Sequence, residues 1–157
     1  MSAEEMKLDR KQFELANRLF FRMYQAQNLV NKNGARFLIE YGSTTQQWAV
    51  LGALTRPLAI DRGMTVKDLI EFLLLSRQNL TAVIDRLEER GWVERVKDSE
   101  DGRSRRIRLT PEGTRNWARM QPKIDAFYHA ALRDLDDKDR AELFRLLNRL
   151  KNTLNEI

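Results

Sequence analysis

The sequence predicts a mainly α-helical chain whose β-structure is one two-stranded hairpin, and three observations carry that prediction. Apolar residues recur at steps of three and four at both ends of the chain, the mark of long amphipathic helices. Two short helices lie back to back between Thr65 and Gly91, with a brief turn between them. Directly after Gly91 the period becomes alternating, and it returns to helical at Pro111.

From Asp9 to about Val30, one helix face is drawn by Phe13, Ala16, Leu19, Phe20, Met23, Ala26 and Val30. Asn33-Gly34 predicts its end, with glycine supplying a left-handed cap. A shorter helix is expected over 35–41, broken by Gly42. Ser43 or Thr44 then caps a helix through Trp48, Leu51 and Leu54 that ends before Pro57.

Thr65 with Asp68 three residues on is a variant capping box, which starts a helix over 66–73. Ser76 caps the next, which runs to Arg90 with Leu80, Val83, Ile84 and Leu87 as its buried stripe. The turn residues Leu74 and Leu75 are more apolar than usual. Residues 92–96 and 105–109 alternate as strands, and Asp101-Gly102 between them is a hairpin signal. A charged hairpin directly after the second of two short helices is a wing. Residues 46–110 therefore read as a winged helix-turn-helix lobe.

Thr110-Pro111-Glu112 supplies a capping hydroxyl, a proline at the first helical position and an acid facing the positive helix end. The stripe of that helix continues through Trp117, Met120, Ile124, Phe127 and Ala131, and Pro122 is expected to kink it without ending it. A last helix after Asp136 lines up Leu143, Leu146, Leu147, Leu150 and Leu154. Residues 1–45 and 111–157 are expected to form a dimerisation lobe, since their apolar faces exceed what one subunit covers. The whole chain, 1–157, then forms a single domain.

Composition narrows the function. A net charge of +5 over 157 residues favours a polyanionic partner. The absence of cysteine removes disulfides, thiol nucleophiles and thiol redox switches. With His129 as the single histidine, no metal site is expected. No glycine-rich phosphate loop is present and no nucleophile stands out, so the chain reads as a non-enzyme without a cofactor. The segment MSAEEMKLDRK is charged where a signal peptide needs apolar residues, and no apolar run approaches the roughly 20 residues that span a bilayer. A cytoplasmic protein with no membrane partner is the expectation.

Two stretches carry the nucleic-acid reading. Ser76, Arg77, Gln78, Asn79 and Thr81 put hydrogen-bonding groups at the start of the second short helix, the end that points into a major groove. Arginine suits guanine, Gln and Asn suit adenine, and Thr can touch a thymine methyl. Ser76 also serves as the helix cap. The hairpin contributes Arg103, Arg105, Arg106 and Arg108. An arginine-bearing tip can enter a narrow minor groove, and Asp101 is placed to hold the Arg103 guanidinium by a bidentate pair. Arg86 and Arg95 can reach phosphates, or instead pair with Glu89 or Glu94.

The stretch from Asp68 to Trp117 resembles the winged helix-turn-helix of the MarR family of transcriptional regulators. The likeness rests on Arg90-Gly91 ending an apolar helix, Glu94-Arg95 in the first wing strand, the tip Asp101-Gly102-Arg103-Ser104, and Leu109-Thr110-Pro111-Glu112-Gly113 opening the next helix. Thr44–Leu54 is similar to the helix that precedes the module in that family. Gly102 and Trp92 depart from the commoner pattern. The resemblance implies a homodimer with interlocked terminal helices, binding double-stranded DNA at a palindromic operator as a repressor. It also implies a small aromatic carboxylate, or an aromatic acyl-CoA, that binds between the lobes and releases DNA. Asn17, Phe21, Tyr24 and Asn28 lie beside the core face of the first helix. With them, Arg36, Phe37, Tyr41 and Trp48 are the expected walls and carboxylate partner. The alternatives are a regulator with no small-molecule effector and an RNA-binding winged helix.

Overall fold

Side-chain caps start every α-helix of the computed structural model, which describes residues 7–157. The first six residues of the expected dimerisation stretch lie outside the described residues. Helix α1 covers Arg10–Phe37, and a 3-10 turn over Ile39–Tyr41 leads to α2, Thr45–Leu54. Strand β1 (Met64–Thr65) precedes α3 (Val66–Leu73) and α4 (Arg77–Glu89). The hairpin of β2 (Val93–Lys97) and β3 (Arg105–Leu109) is followed by α5 (Pro111–Ala131) and α6 (Asp137–Glu156). The caps read from sequence at Thr65, Ser76 and Thr110 accept the expected backbone N–H, Thr44 is the one of Ser43 and Thr44 that caps α2, and Asp136 caps α6.

Three elements differ from the sequence expectation, and the first is the short helix expected over 35–41: residues 35–37 belong to α1, and only Ile39–Tyr41 form a 3-10 turn. Helix α1 does not stop at Asn33-Gly34 but runs on to Phe37. Gly34 is there for packing: a Cβ would lie 2.9 Å from Thr45 Cγ2 and 3.5 Å from the Trp48 ring. The close approach of α2 offsets the roughly 1 kcal/mol helix penalty of glycine. The left-handed residue that turns the chain is Gly42, at φ 58°. The sheet also has three strands, in the order β1-β3-β2, where the sequence predicts two. Strand β1 pairs only Met64 with Ile107 and Thr65 with Arg106, too short to leave an alternating pattern.

The core is built from α2–α5 and the sheet. Leu51, Leu54, Leu69, Leu80, Ile84, Leu87, Ile107 and Met120 are fully buried within it. Helix α6 contributes no buried residue, and α1 contributes only Gly34. Both nevertheless carry large apolar side chains, including Phe13, Leu19, Phe20, Leu143, Phe144 and Leu147, on exposed faces. The helix-turn-helix bends at Leu74, a left-handed non-glycine residue at φ 54°. That conformation costs an L-residue about 1–2 kcal/mol.

Candidate DNA-binding surface and ligand cavity

Helix α4 is anchored by Leu80, Val83, Ile84 and Leu87, so its other face is left outward. Ser76 Oγ accepts the Asn79 N–H at 3.2 Å, which commits it to the cap. Arg77, Gln78 and Asn79 are exposed at the N-terminal end, Thr81 is half-buried behind them, and Arg86 is exposed one turn on. Arg95 is engaged differently. Its Nε donates to Glu88 Oε2 at 2.9 Å and its other donor to Asp85 Oδ1 at 2.5 Å, bracing β2 against α4. It pairs with neither Glu89 nor Glu94, and Asp85 and Glu88 are its carboxylate partners. Glu94 instead holds Arg108 at 2.7 Å.

The wing divides its arginines between two jobs. Asp98 is buried, and its carboxylate accepts the Glu100 N–H at 3.0 Å and Arg106 Nε at 2.9 Å. Those contacts hold its pKa below the usual carboxylate value, the Glu100 backbone bond contributing most and the Arg106 charge next, against the opposing cost of burial. Arg106 also donates to Gly63 O at 3.3 Å, tying the hairpin to the loop before β1. Arg103 and Arg105 are exposed and have no carboxylate partner among the described residues. Asp101 does not clamp the Arg103 guanidinium as expected. Its Oδ1 accepts the Arg103 backbone N–H at 3.0 Å, and its carbonyl accepts the Ser104 N–H. A short acid in a tight turn reaches the backbone two residues on more readily than a long side chain's tip. Asp101 thus shapes the tip that presents Arg103 and half-buried Ser104.

Sequence reasoning missed Arg90. From the C-cap of α4 it donates to Tyr41 O at 2.5 Å, Gly42 O at 3.0 Å and Gln47 Oε1 at 3.4 Å. Its guanidinium lies 3.7 Å over the Trp92 ring, which accounts for the unusual Trp92. Burial pulls the Arg90 pKa down, yet an arginine starts so high that it stays charged. The end of α4 is thereby pinned to the turn between α1 and α2.

A cavity of about 610 Å³ opens between α1, α2, the end of α3 and α5, within the range of small-molecule sites. Val30, Trp48, Arg56, Phe72, Trp117 and Tyr128 are prominent in its walls. Burial, with the nearby Asp125 charge, raises the Tyr128 pKa, so its phenol stays a donor. Of the ligand residues expected from sequence, only Trp48 lines this cavity. Asn17, Phe21 and Tyr24 line a separate depression on α1. Asn28 and Arg36 are exposed and line neither. Phe37 packs edge-on to Phe127 at 5.5 Å, and Tyr41 donates to Arg119 O at 2.9 Å. Because α1 continues unbroken, Tyr24 stands about 10 Å along the axis from Asn31, at the rate of 1.5 Å per residue. The eight residues therefore do not converge within one chain. Arg56, Phe72, Trp117 and Tyr128 are the residues that sequence reasoning missed, since they come from three separate parts of the chain: the end of α2, α3 and α5.

A family model described as MarR family matches residues 41–104. The transcriptional activatory protein BadR of Rhodopseudomonas palustris is 45% identical over 145 residues, spanning 92% of this chain and 82% of that protein. The chain belongs to the MarR family. Among solved structures, this regulator resembles overoxidized AbfR bound to DNA, at 27% identity and a TM-score of 0.74, covering 94% of this chain and 99% of that one. It also resembles a probable transcriptional regulator from Pseudomonas aeruginosa, at 25% identity and a TM-score of 0.76, covering 87% and 98%. It is a DNA-binding transcriptional regulator rather than an enzyme, built on the family's winged-helix fold. No helix among the described residues is long and apolar enough to cross a membrane.

Proposed function

We propose that this regulator works as a homodimer in the cytoplasm on a palindromic operator, with α4 in successive major grooves and the wing tips in the flanking minor grooves. The observation that carries the reading is the division of labour around α4. Its apolar stripe is buried while Arg77, Gln78 and Asn79 are outward, beside a wing tip whose Arg103 and Arg105 have no acidic partner among the described residues. Gln78, Asn79, Arg77 and Thr81 read base edges, and Arg86 contacts a phosphate. Arg103, Arg105 and Ser104 supply the wing contact, with Asp101 setting the tip and Arg95 holding β2 to α4. Residues 7–45 with 111–157 form the dimerisation lobe, and 46–110 form the DNA-binding lobe. The unburied apolar faces of α1 and α6 support that division, because a second copy of the same helices covers them.

The cavity between α1, α2, α3 and α5 takes a small aromatic carboxylate or its CoA thioester, which lowers operator affinity by favouring a different spacing of the two α4 helices. Support comes from its aromatic walls and the placement of Leu73 and Leu75, which flank the helix-turn-helix bend, in the same cavity. The sign of regulation depends on where the operator lies relative to a promoter. BadR is an activatory protein by name, which favours activation over the repression that the resemblance implies.

Titrating benzoate, phenylacetate, cinnamate and their CoA thioesters against the protein on its selected operator, by fluorescence anisotropy, tests the ligand reading. One of them is expected to change DNA affinity by about 5–150-fold, with DNA changing ligand affinity by the same factor. A panel with no effect would favour a regulator controlled by abundance alone.

A further inference from the structure

Among the described residues, Arg56 is the only charged one lining the cavity. It follows the C-cap of α2, and its guanidinium carbon lies 4.0 Å from the centroid of the Phe72 ring in the last turn of α3. Among the described residues it makes no ion pair and donates no side-chain hydrogen bond, whereas Arg90, Arg95, Arg106 and Arg108 all do. A guanidinium stacked by its face keeps its five N–H donors along the edge. Phe72 thus lies against a charged fork that has no side-chain partner among the described residues.

We propose that Arg56 is the anion-receiving residue of this cavity and that Phe72 is its positioning residue. This rests on the ligand reading above and specifies it. The cyclic part of the ligand lies against Trp48, Trp117 and Tyr128, and its anionic group meets the edge of Arg56. That group is the carboxylate of a free acid or a phosphate of a CoA thioester, the one chemistry this fork accepts from either source. Phe72 sits two residues before left-handed Leu74 and four before the Ser76 cap of α4. Pairing at Arg56 therefore acts on the last turn of α3, where the recognition helix is hinged.

The discriminating readout is charge selectivity, which a merely structural residue would not move. Calorimetry on the purified protein compares benzoate with benzamide, phenylacetate with its amide, and both acids with their CoA thioesters. The intact protein should prefer an acid over its amide by about tenfold or more, the worth of a charge-assisted hydrogen bond. Arg56→Gln should reduce that preference to within about twofold, and Arg56→Lys, which keeps the charge but not the fork, should retain part of it. Phe72→Leu should weaken acid binding by about two- to fivefold, the range of an exposed cation–π contact, and shrink the effect of the acid on DNA affinity. Loss confined to thioester binding in Arg56→Gln would place a phosphate at Arg56 and support the same assignment. An acid preference that survives Arg56→Gln together with thioester binding unchanged by it overturns the proposal while leaving the ligand reading intact. If no probe binds the intact protein, both fall together.

Discussion

Gly113 opens α5 in the Leu109-Thr110-Pro111-Glu112-Gly113 run, and the packing there explains why a side chain is not tolerated. A Cβ on Gly113 would lie 1.9 Å from the Trp92 carbonyl oxygen and 2.8 Å from its carbon, both of them backbone atoms. Helix α5 would have to retreat by roughly 1 Å in a close-packed interior. The retreat pulls on the Thr110 N–H to Trp92 O bond at 3.1 Å and on the Thr110 hydroxyl to Gly91 O bond at 2.6 Å. Overpacking costs about 1–3 kcal/mol, and each weakened hydrogen bond adds about 1 kcal/mol. Gly113→Ala should thus cost about 3–5 kcal/mol, a fall in Tm on the order of 10 °C. Thermal unfolding at fixed protein concentration measures it, since an oligomer melts concentration-dependently. Gly102→Ala is the matched control: its Cβ meets nothing within 4 Å, so its stability should stay within about 0.5 kcal/mol. A Gly113→Ala protein melting within about 2 °C of the parent would refute this account of the junction.

Further outcomes separate the parts of the molecule. Arg103→Ala should weaken binding to all duplexes about equally and flatten the salt dependence, whereas Gln78→Ala or Asn79→Ala should relax preference at particular base pairs by about 1–3 kcal/mol each. Anisotropy across salt concentrations and operator variants tells the two apart. The lowered Asp98 pKa predicts a stability contribution that is whole above the carboxylate's unfolded value and is lost as pH falls through the lower folded one. Asp98→Asn should therefore destabilise at neutral pH and remove that part of the acid sensitivity, read by urea unfolding between about pH 2 and 6. Leu147→Glu with Leu150→Glu should dissociate or unfold the protein, as sedimentation against the 18.5 kDa subunit mass will register.

Much of this was legible in the chain, for local reasons. The caps at Thr44, Thr65, Ser76, Thr110 and Asp136 are residue-to-backbone bonds within three positions, so sequence spacing reports them directly. The stripe of α4 and the alternation of the wing strands follow from helix and strand periods. What stayed hidden depends on distant neighbours. Gly34 looks like a helix stop until α2 is seen lying against it. Nothing in the spacing discloses the Asp85 and Glu88 carboxylates that brace Arg95, or that Asp101 accepts the Arg103 backbone N–H and not its guanidinium. The cavity draws on α1, α2, α3 and α5 together, so an aromatic stripe on one helix could not disclose Arg56 or Trp117.

In the proposed complex, two copies of this chain present two α4 helices to one duplex with two-fold symmetry. Selecting binders from a pool of random duplexes with the purified protein, and sequencing the enriched pool, tests it most directly. The account predicts inverted half-sites whose centres lie about one helical turn, 10–10.5 base pairs, or a multiple of it apart. Enrichment of a single, unrepeated half-site, or of direct repeats with no fixed spacing, would contradict it.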